Sequence, residues 1–507
     1  MRPILLLAGV LLACATQART VLRLSAPEFR DRPVLVQRYM DLFTLRAEPL
    51  ASARTDAQGA VVIELEVSER TRAQLRIGEG RTDLYLEPGA SYDMVFQRLP
   101  GAALTVAGRP NAELTFNGLD LLDINALTSD LNERLDAFIA EDLATDQARG
   151  MQAVEIMRKG GTPPPDSSAR PGTLFITPSW SEARVDTFER KLMRFYAEVN
   201  DPWFKGSVEY GVAGLRFGPR TNDKELWARY LKDRPVRYDD PEYVRFFRSF
   251  FEDHLMRFPF RSDEAALQRA IATGRLDSVK QVFAAHDFLR EDDRLCELVV
   301  LTELWAHHDG KALDRAAVRR VLTDGATGSR YPEHRRIATD MLWDLTAMRP
   351  GATLPSLTLR DMNGADLPLD SLLKGPVLLA FTAAWCTYCE MEMAALEQLY
   401  AEHGGMVTFI GIGTDPGMEA FQAYLRLHPK RDWTWLYAGD DLRTMEALRM
   451  RSLPQFLLLQ DRTLVHAPAP LPSEGLPAIL HRMKVQAEEE NKLRIGGGQP
   501  PPKPPRR

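Results

Sequence analysis

Cysteine is scarce. Four thiols in 507 residues are too few to staple a domain, so a disulfide-built scaffold is excluded. A surplus of positive charge is also missing. The 64 Lys and Arg against 70 Asp and Glu leave a net charge of −6, and nucleic acid is not an expected partner. After Leu12 no stretch approaches the roughly 20 apolar residues that span a bilayer. Histidine is rare, nine residues in all. The tempting run His307-His308-Asp309 reads as a solvated helix end, because adjacent helical side chains point in different directions. No fixed repeat period is present, so a solenoid is not expected. What remains is an ordinary globular composition, 45% hydrophobic and 26% charged, and a length that suggests about three domains.

The first 18 residues have the pattern of an export signal. Arg2 gives a positive start, Ile4 to Leu12 an apolar run, and Thr16-Gln17-Ala18 small residues at the cleavage positions. Leu11-Leu12-Ala13-Cys14 also resembles a bacterial lipobox, which would make Cys14 a lipid anchor. Cleavage after Ala18 and lipidation of Cys14 are both open. Neither gives Cys14 a redox role.

Residues 19–118 read as an all-β, sandwich-like domain. Val61 to Val67, Leu75 to Ile77, Asp83 to Leu86 and Tyr92 to Phe96 are short apolar or alternating runs, separated by turn residues such as Asp56 to Gly59 and Pro88-Gly89. Residues 119–348 read as α-helical. Val185, Phe188, Leu192, Phe195 and Val199 form one apolar stripe. Asp240-Pro241 starts another helix, with Val244, Phe247, Phe251 and Leu255. These aromatic stripes read as core and not as a cofactor box. Cys296, among Leu295, Leu298 and Val299, reads as a buried inert thiol, with a regulatory or resolving thiol as the other possibility. Arg349-Pro350-Gly351 opens a third domain over 349–485. Residues 486–507 turn charged and then Gly/Pro-rich, a disordered tail.

Chemistry concentrates in that third domain. Val377 to Phe381 is almost wholly apolar, as in a strand buried on both faces. Met393, Leu396 and Tyr400 repeat at helical spacing. Trp385-Cys386-Thr387-Tyr388-Cys389 lies where strand gives way to helix. There Cys386 would meet unpaired N–H groups and the positive end of the helix dipole, both of which favour thiolate. A zinc site would need a second ligand pair, and the only other cysteines are Cys14 and Cys296. A static disulfide is possible, but a C-x-x-C in this setting reads as a redox dithiol.

Residues of about 350 to 485 resemble the thioredoxin-like thiol–disulfide oxidoreductases of the TlpA/ResA type. The matching features are Pro355 to Leu359, Asn363-Gly364 and Leu367 to Leu369 as an opening hairpin, then the Trp385–Cys389 motif. They continue with Met406 to Ile412 ended by Asp415, and Leu453-Pro454-Gln455-Phe456. The run Thr55 to Gly59, with Leu86 to Gly89, looks like a β-domain found ahead of thioredoxin modules in some bacterial envelope proteins. The resemblance implies an α/β domain with a central sheet flanked by helices. It also implies that Pro454 is cis, that Leu453 presents its backbone to a substrate strand, and that Trp385 shields one side of the site. Glu392, three residues after Cys389, matches an acidic residue of the family and becomes the candidate proton handler. Ala380 stands where thioredoxin itself has a buried Asp, Thr387-Tyr388 replaces the usual dipeptide, and Ala394 stands where many relatives have proline.

The function implied is thiol–disulfide exchange in the periplasm or cell envelope, most naturally reduction of protein disulfides through Cys386 and Cys389. Protein substrates with disulfides or thiols are the expected partners, with a membrane electron donor upstream. No metal, nucleotide or flavin cofactor is implied. Two other classes stay open. One is a redox-inactive binding protein that keeps only the fold. The other is a peroxiredoxin-like peroxidase, for which Thr382 would stand four residues before its cysteine. The export pattern has a direct consequence: N-terminal sequencing of the abundant form should start at Arg19 or at a lipidated Cys14, and an intact Met1 would contradict it.

Overall fold

The computed structural model describes residues 19–99, 112–158, 181–217, 222–252, 259–450 and 452–495. The export segment with Arg2, Cys14 and Ala18, Leu255 and residues 496–507 lie outside the described residues, while residues 486–495, expected in the disordered tail, continue the helix Leu476–Ile495.

Alternation builds the first region. Along Ser91–Arg98, Tyr92, Met94 and Phe96 are buried while Ser91 and Asp93 are exposed, the period-2 signature of a strand with one face covered. Two four-stranded sheets result. One has the order β4 (Ala60–Leu65), β1 (Thr20–Ser25), β7 (Ser91–Arg98), β8 (Ala112–Phe116). The other runs β3 (Ala47–Arg54), β2 (Pro33–Tyr39), β5 (Thr71–Ile77), β6 (Gly80–Leu86). Leu22, Ile63, Met94 and Phe96 of the first meet Val34, Leu75, Ile77 and Leu84 of the second in one core, a sandwich.

Helices follow, from Ile124–Arg158 to Pro332–Thr346. Asp201, Asn222, Asp240, Asp292 and Asp314 each accept a first-turn amide, satisfying donors that the helix leaves unpaired. Val185, Leu192 and Val199 are buried, but Phe195 is 58% exposed. The Arg134 guanidinium covers its ring from 3.7 Å, and such a cover suits an exposed aromatic. His308 also departs from expectation. It is buried, with Nδ1 3.0 Å from Asp309 Oδ1, and Asp309 is in turn bonded by Arg349 at 3.3 Å. His308 itself is therefore not a solvated helix end, although its partners Asp309 and Arg349 remain about half exposed. Cys296 is buried, and burial pushes its thiol up to about 12, so it stays neutral near pH 7.

One polar network lies inside the helical core. Glu297 accepts from Lys280 Nζ at 3.0 Å and from the Ser329 hydroxyl, and its Oε1 lies 2.9 Å from His334 Nδ1. His334 Nε2 is 2.6 Å from the Tyr238 hydroxyl. Glu297 and His334 are almost fully covered. A buried carboxylate is tolerated when paired in this way.

The three regions meet at Trp343, on the last helix before the C-terminal region. Arg46 from the sandwich lies 4.7 Å from its ring and Arg449 from the C-terminal region lies 5.0 Å from it. Arg46 also pairs with Asp340 at 2.6 Å, and Arg449 with Asp344 at 2.6 Å. Burial, and Asp41 beside it, push the Asp340 carboxyl up to about 6. Arg54 and Arg76 of the sandwich pair directly with Asp440 and Glu446.

The C-terminal region is a seven-stranded sheet flanked by helices, the thioredoxin-like α/β fold. Its order is β10 (Asp366–Pro368), β9 (Thr358–Arg360), β13 (Thr434–Tyr437), β12 (Thr408–Gly413), β11 (Pro376–Thr382), β14 (Gln455–Gln460), β15 (Thr463–His466). The central strand β11 runs parallel to β12 and antiparallel to β14. Its residues divide between two cores. Val377, Leu379 and Phe381 join one, and Leu378 and Ala380 join the other with Met393, Leu396 and Leu480. That is why the run is apolar without alternation. In β12, Gly411 and Gly413 lie under the rings of Trp435 and Phe421, where a Cβ would come within 2.2 and 2.3 Å of ring carbons. No helix among the described residues is long and apolar enough to cross a membrane.

The Glu297 network makes stability acid-sensitive. Burial raises the Glu297 carboxyl, but the bonds from His334, Ser329 and Lys280 outweigh it and hold it at about 2, against an ordinary 4.5. Its contribution is therefore complete above the ordinary value and fades as pH falls from there towards 2. Glu297→Ala should cost about 3 kcal/mol at neutral pH, and Glu297→Gln should flatten the acid limb of the unfolding curve. Denaturant titrations at pH 7 and across pH 5 to 2.5 check both, and an unchanged acid limb in Glu297→Gln would contradict the assignment.

Candidate functional site

Strand β11 ends at Thr382 and the next helix is Thr387–His403. Only Ala383 to Cys386 separate them, so the chain turns from sheet to helix within four residues. Cys386 is the N-cap, with extended backbone (φ −90°, ψ 99°), and its sulfur accepts the Cys389 amide at 3.1 Å. The Cys386 and Cys389 sulfurs are bonded, with the Cα atoms 5.1 Å apart. Cys386 keeps 9% of its surface open and Cys389 none. A sulfur at the N-cap receives the first-turn N–H groups and the dipole, which favour its negative form once the bond is reduced.

The surroundings are apolar on two sides. Ala383 and Leu453 pack against the cysteine pair, and the Leu453–Pro454 peptide bond is cis. Trp385 stands beside the pair with 66% of its surface open, followed along the helix by Tyr388 at 48% and Met391 at 65%. Trp385 is thus a projecting residue and not part of a covered wall.

Glu392 is buried, 2% exposed. One carboxylate oxygen accepts the Ser473 amide at 3.0 Å and the other the Ser473 hydroxyl at 2.6 Å. The loop before the helix Leu476–Ile495 thereby holds the acid next to the second cysteine's turn. Ser473 gave no signal in the sequence, because its partner is 81 residues away.

Two further acids near the motif escaped sequence reasoning. Glu390, in the first helical turn, is gripped by Arg431 through 2.6 and 2.9 Å bonds and by the Tyr424 hydroxyl at 2.7 Å. Arg431 also reaches Glu397 at 2.7 Å, and its side chain is 1% exposed. The Arg431 bonds hold the Glu390 carboxyl below its ordinary range. Asp415, just past β12, is 2% exposed. Both of its oxygens face the Ala384 amide, at 2.9 and 3.0 Å, and its own carbonyl accepts the Tyr437 hydroxyl at 2.7 Å. The available signal was an acid placed directly after a strand buried along most of its length. Among the described residues, no group of three or more His, Cys, Asp or Glu is arranged to hold a metal ion.

Residues 350–460 match the model of the AhpC/TSA family. Among solved structures, the chain is similar to a Bacteroides vulgatus protein provisionally described as a thiol-disulfide oxidoreductase. The identity is 25%, over 27% of this chain and 96% of that one, with a TM-score of 0.25. It is also similar to a thiol-disulfide oxidoreductase from Bacteroides fragilis, at 21% identity over 26% and 99% of the two chains, TM-score 0.24. A third is a secreted Mycobacterium tuberculosis disulfide oxidoreductase, at 27% identity over 22% and 84%, TM-score 0.20. No curated protein matches the chain.

The contrast between the two sulfurs sets an expectation for the reduced chain. Cys386, at the helix start and partly open, should alkylate first near neutral pH, while Cys389, inside the helix and covered, should react slowly. Mass spectrometry after brief iodoacetamide treatment reads this directly. Equal labelling of the two would count against it.

Proposed function

We propose that this chain is an extracytoplasmic thiol–disulfide oxidoreductase that reduces protein disulfides. The observation that carries the reading is the N-cap position of Cys386, bonded to Cys389 one turn on, at the end of the central buried strand. A covered structural disulfide has no need of that position, whereas an attacking thiolate gains from it. The export pattern of residues 1–18 supports a periplasmic or cell-envelope location.

In the reduced protein, Cys386 thiolate attacks one sulfur of a substrate disulfide. A Cys386–substrate disulfide forms, and the first substrate sulfur leaves as thiolate and takes a proton. Cys389 then loses its proton and attacks Cys386 Sγ, so the second substrate sulfur leaves and the Cys386–Cys389 bond forms. Two electrons and two protons pass to the substrate. A dithiol donor, for which a membrane protein is the natural candidate, returns the pair to its reduced state by the reverse exchange. Glu392 is the candidate to receive the Cys389 proton, since it lies one turn along the same helix. Leu453 and Pro454 form the wall along which a substrate strand would lie, and Trp385 the edge it would meet.

The full chain should reduce insulin with a dithiol donor. Cys386→Ser should abolish the activity. Cys389→Ser should still attack and accumulate mixed disulfides with its substrates. Glu392→Gln should slow the second step more than the first. A midpoint potential for Cys386/Cys389 in the range of reducing thioredoxin-like proteins, about −270 mV for thioredoxin, fits the proposed direction. A strongly oxidising potential would reverse it. Turnover of hydrogen peroxide faster than of insulin would favour a peroxidase instead.

A further inference from the structure

The motif loop is bonded by an acid from just past another strand that the exchange chemistry does not use. Asp415 belongs to neither cysteine's turn. It reaches across from the end of β12 and takes the Ala384 amide on both carboxylate oxygens. Ala384 lies two residues before Cys386, so their Cα atoms are at most about 7.6 Å apart. The contact is fixed from behind as well. The Tyr437 hydroxyl donates to the Asp415 carbonyl, and Thr414 donates to the Thr382 carbonyl through both its amide and its hydroxyl. Two adjacent residues, Thr414 and Asp415, thus tie the chain just past β12 to the end of β11 and to the turn that follows it.

We propose that Asp415 is a positioning residue for Cys386: its carboxylate fixes the Ala384 peptide, and through it the register in which the nucleophile meets the helix start. The proposal rests on the reading of Cys386 as the attacking sulfur. The turn from Ala383 to Cys386 makes one bond of its own, from the Cys386 amide to the Ala383 carbonyl at 3.1 Å, and without Asp415 the half-buried Ala384 amide would lose its protein acceptor. A backbone N–H can be satisfied by any oxygen, so the choice of an acid has a second effect. No ion pair involving Asp415 occurs among the described residues. Burial pushes its carboxyl up, while the Ala384 and Trp385 amides act in the opposite sense. When ionised, it places a negative charge beneath the loop of a group that must itself become negative, which opposes the Cys386 thiolate. The other charged groups around the pair are tied elsewhere. Glu390 is held by Arg431, with His428 3.8 Å away, and Glu392 is held by Ser473. Glu474 lies near Tyr388 on the outer side.

Two substitutions in the full chain separate position from charge. Asp415→Ala removes the acceptor. It should lower kcat for insulin reduction about 10–100-fold, the scale of a displaced reacting group, with KM little changed and slower alkylation of Cys386. Asp415→Asn keeps an oxygen for the Ala384 amide and removes the charge. It should restore most of kcat and move the midpoint of the Cys386 alkylation–pH curve to lower pH than in the unsubstituted protein. If Asp415→Ala fails to fold, the Asn curve decides the charge effect, and kcat of Asp415→Glu, which displaces the acceptor by one methylene, decides the positioning. A midpoint that does not move, or moves up, overturns the charge effect. Equal kcat in the unsubstituted, Ala and Asn proteins overturns the positioning. Failure of the unsubstituted protein to reduce insulin would sink the reading of function and leave the alkylation curves to judge Asp415 separately.

Discussion

Everything at the candidate site depends on how little chain is available to turn from β11 into the next helix. Four residues, Ala383 to Cys386, must leave a strand buried on both faces and present a helix start. The turn makes one bond of its own, from the Cys386 amide to the Ala383 carbonyl at 3.1 Å; Asp415 reaches in from outside to accept the Ala384 amide, and the Cys386 sulfur caps the Cys389 amide. Cys389, inside the helix, is fully covered, while Cys386 at the helix start keeps 9% of its surface open. The difference between the two thiols is therefore a result of geometry and not of the thiols themselves, which are chemically alike.

The wall opposite the cysteines is tied to the rest of the molecule. Leu453 and Pro454 follow the segment that holds Arg449, whose guanidinium bonds Asp344 and lies against Trp343, with Arg46 against the same ring. Glu446 and Asp440, a little earlier, are paired with sandwich arginines. A long substrate that displaced this segment would also have to work against the junction of three regions. This gives the upstream regions a physical connection to the wall without any residue in the chemistry.

Much of the C-terminal architecture was legible because its signals are local. The unbroken apolar run from Val377 to Phe381 identifies a central strand, and Cys-x-x-Cys after it marks the turn into the next helix. What was not legible depends on distant partners. Ser473 on Glu392, Asp415 on Ala384 and Arg431 on Glu390 join residues 31 to 81 positions apart. Each looks like a surface polar residue until the fold brings it in. His308 and Phe195 show the same limit in opposite directions. A polar residue at a helix end is buried, with Asp309 bonded to it, and an aromatic on a regular stripe is exposed, with the Arg134 guanidinium over its ring. Periodicity assigns faces, but not the long charged side chains that later cover or uncover them.

Three acids, Glu390, Glu392 and Asp415, are held by different partners around the Cys386–Cys389 turn. Glu390 lies in the first helical turn, where a negative charge favours the helix but disfavours a nearby thiolate. Arg431, buried and shared with Glu397, offsets that charge, so the helix gains its first-turn acid with less penalty at the sulfur. Glu392 is bonded to a neutral serine, through both its amide and its hydroxyl. Asp415 has only backbone amides on its carboxylate. A positive partner there would make the thiolate easier to form but would also hold it more tightly, and a thiolate of lower pKa is a weaker nucleophile. An uncompensated acid behind the loop opposes thiolate formation, and so works against the helix start's tendency to make Cys386 too stable an anion to attack.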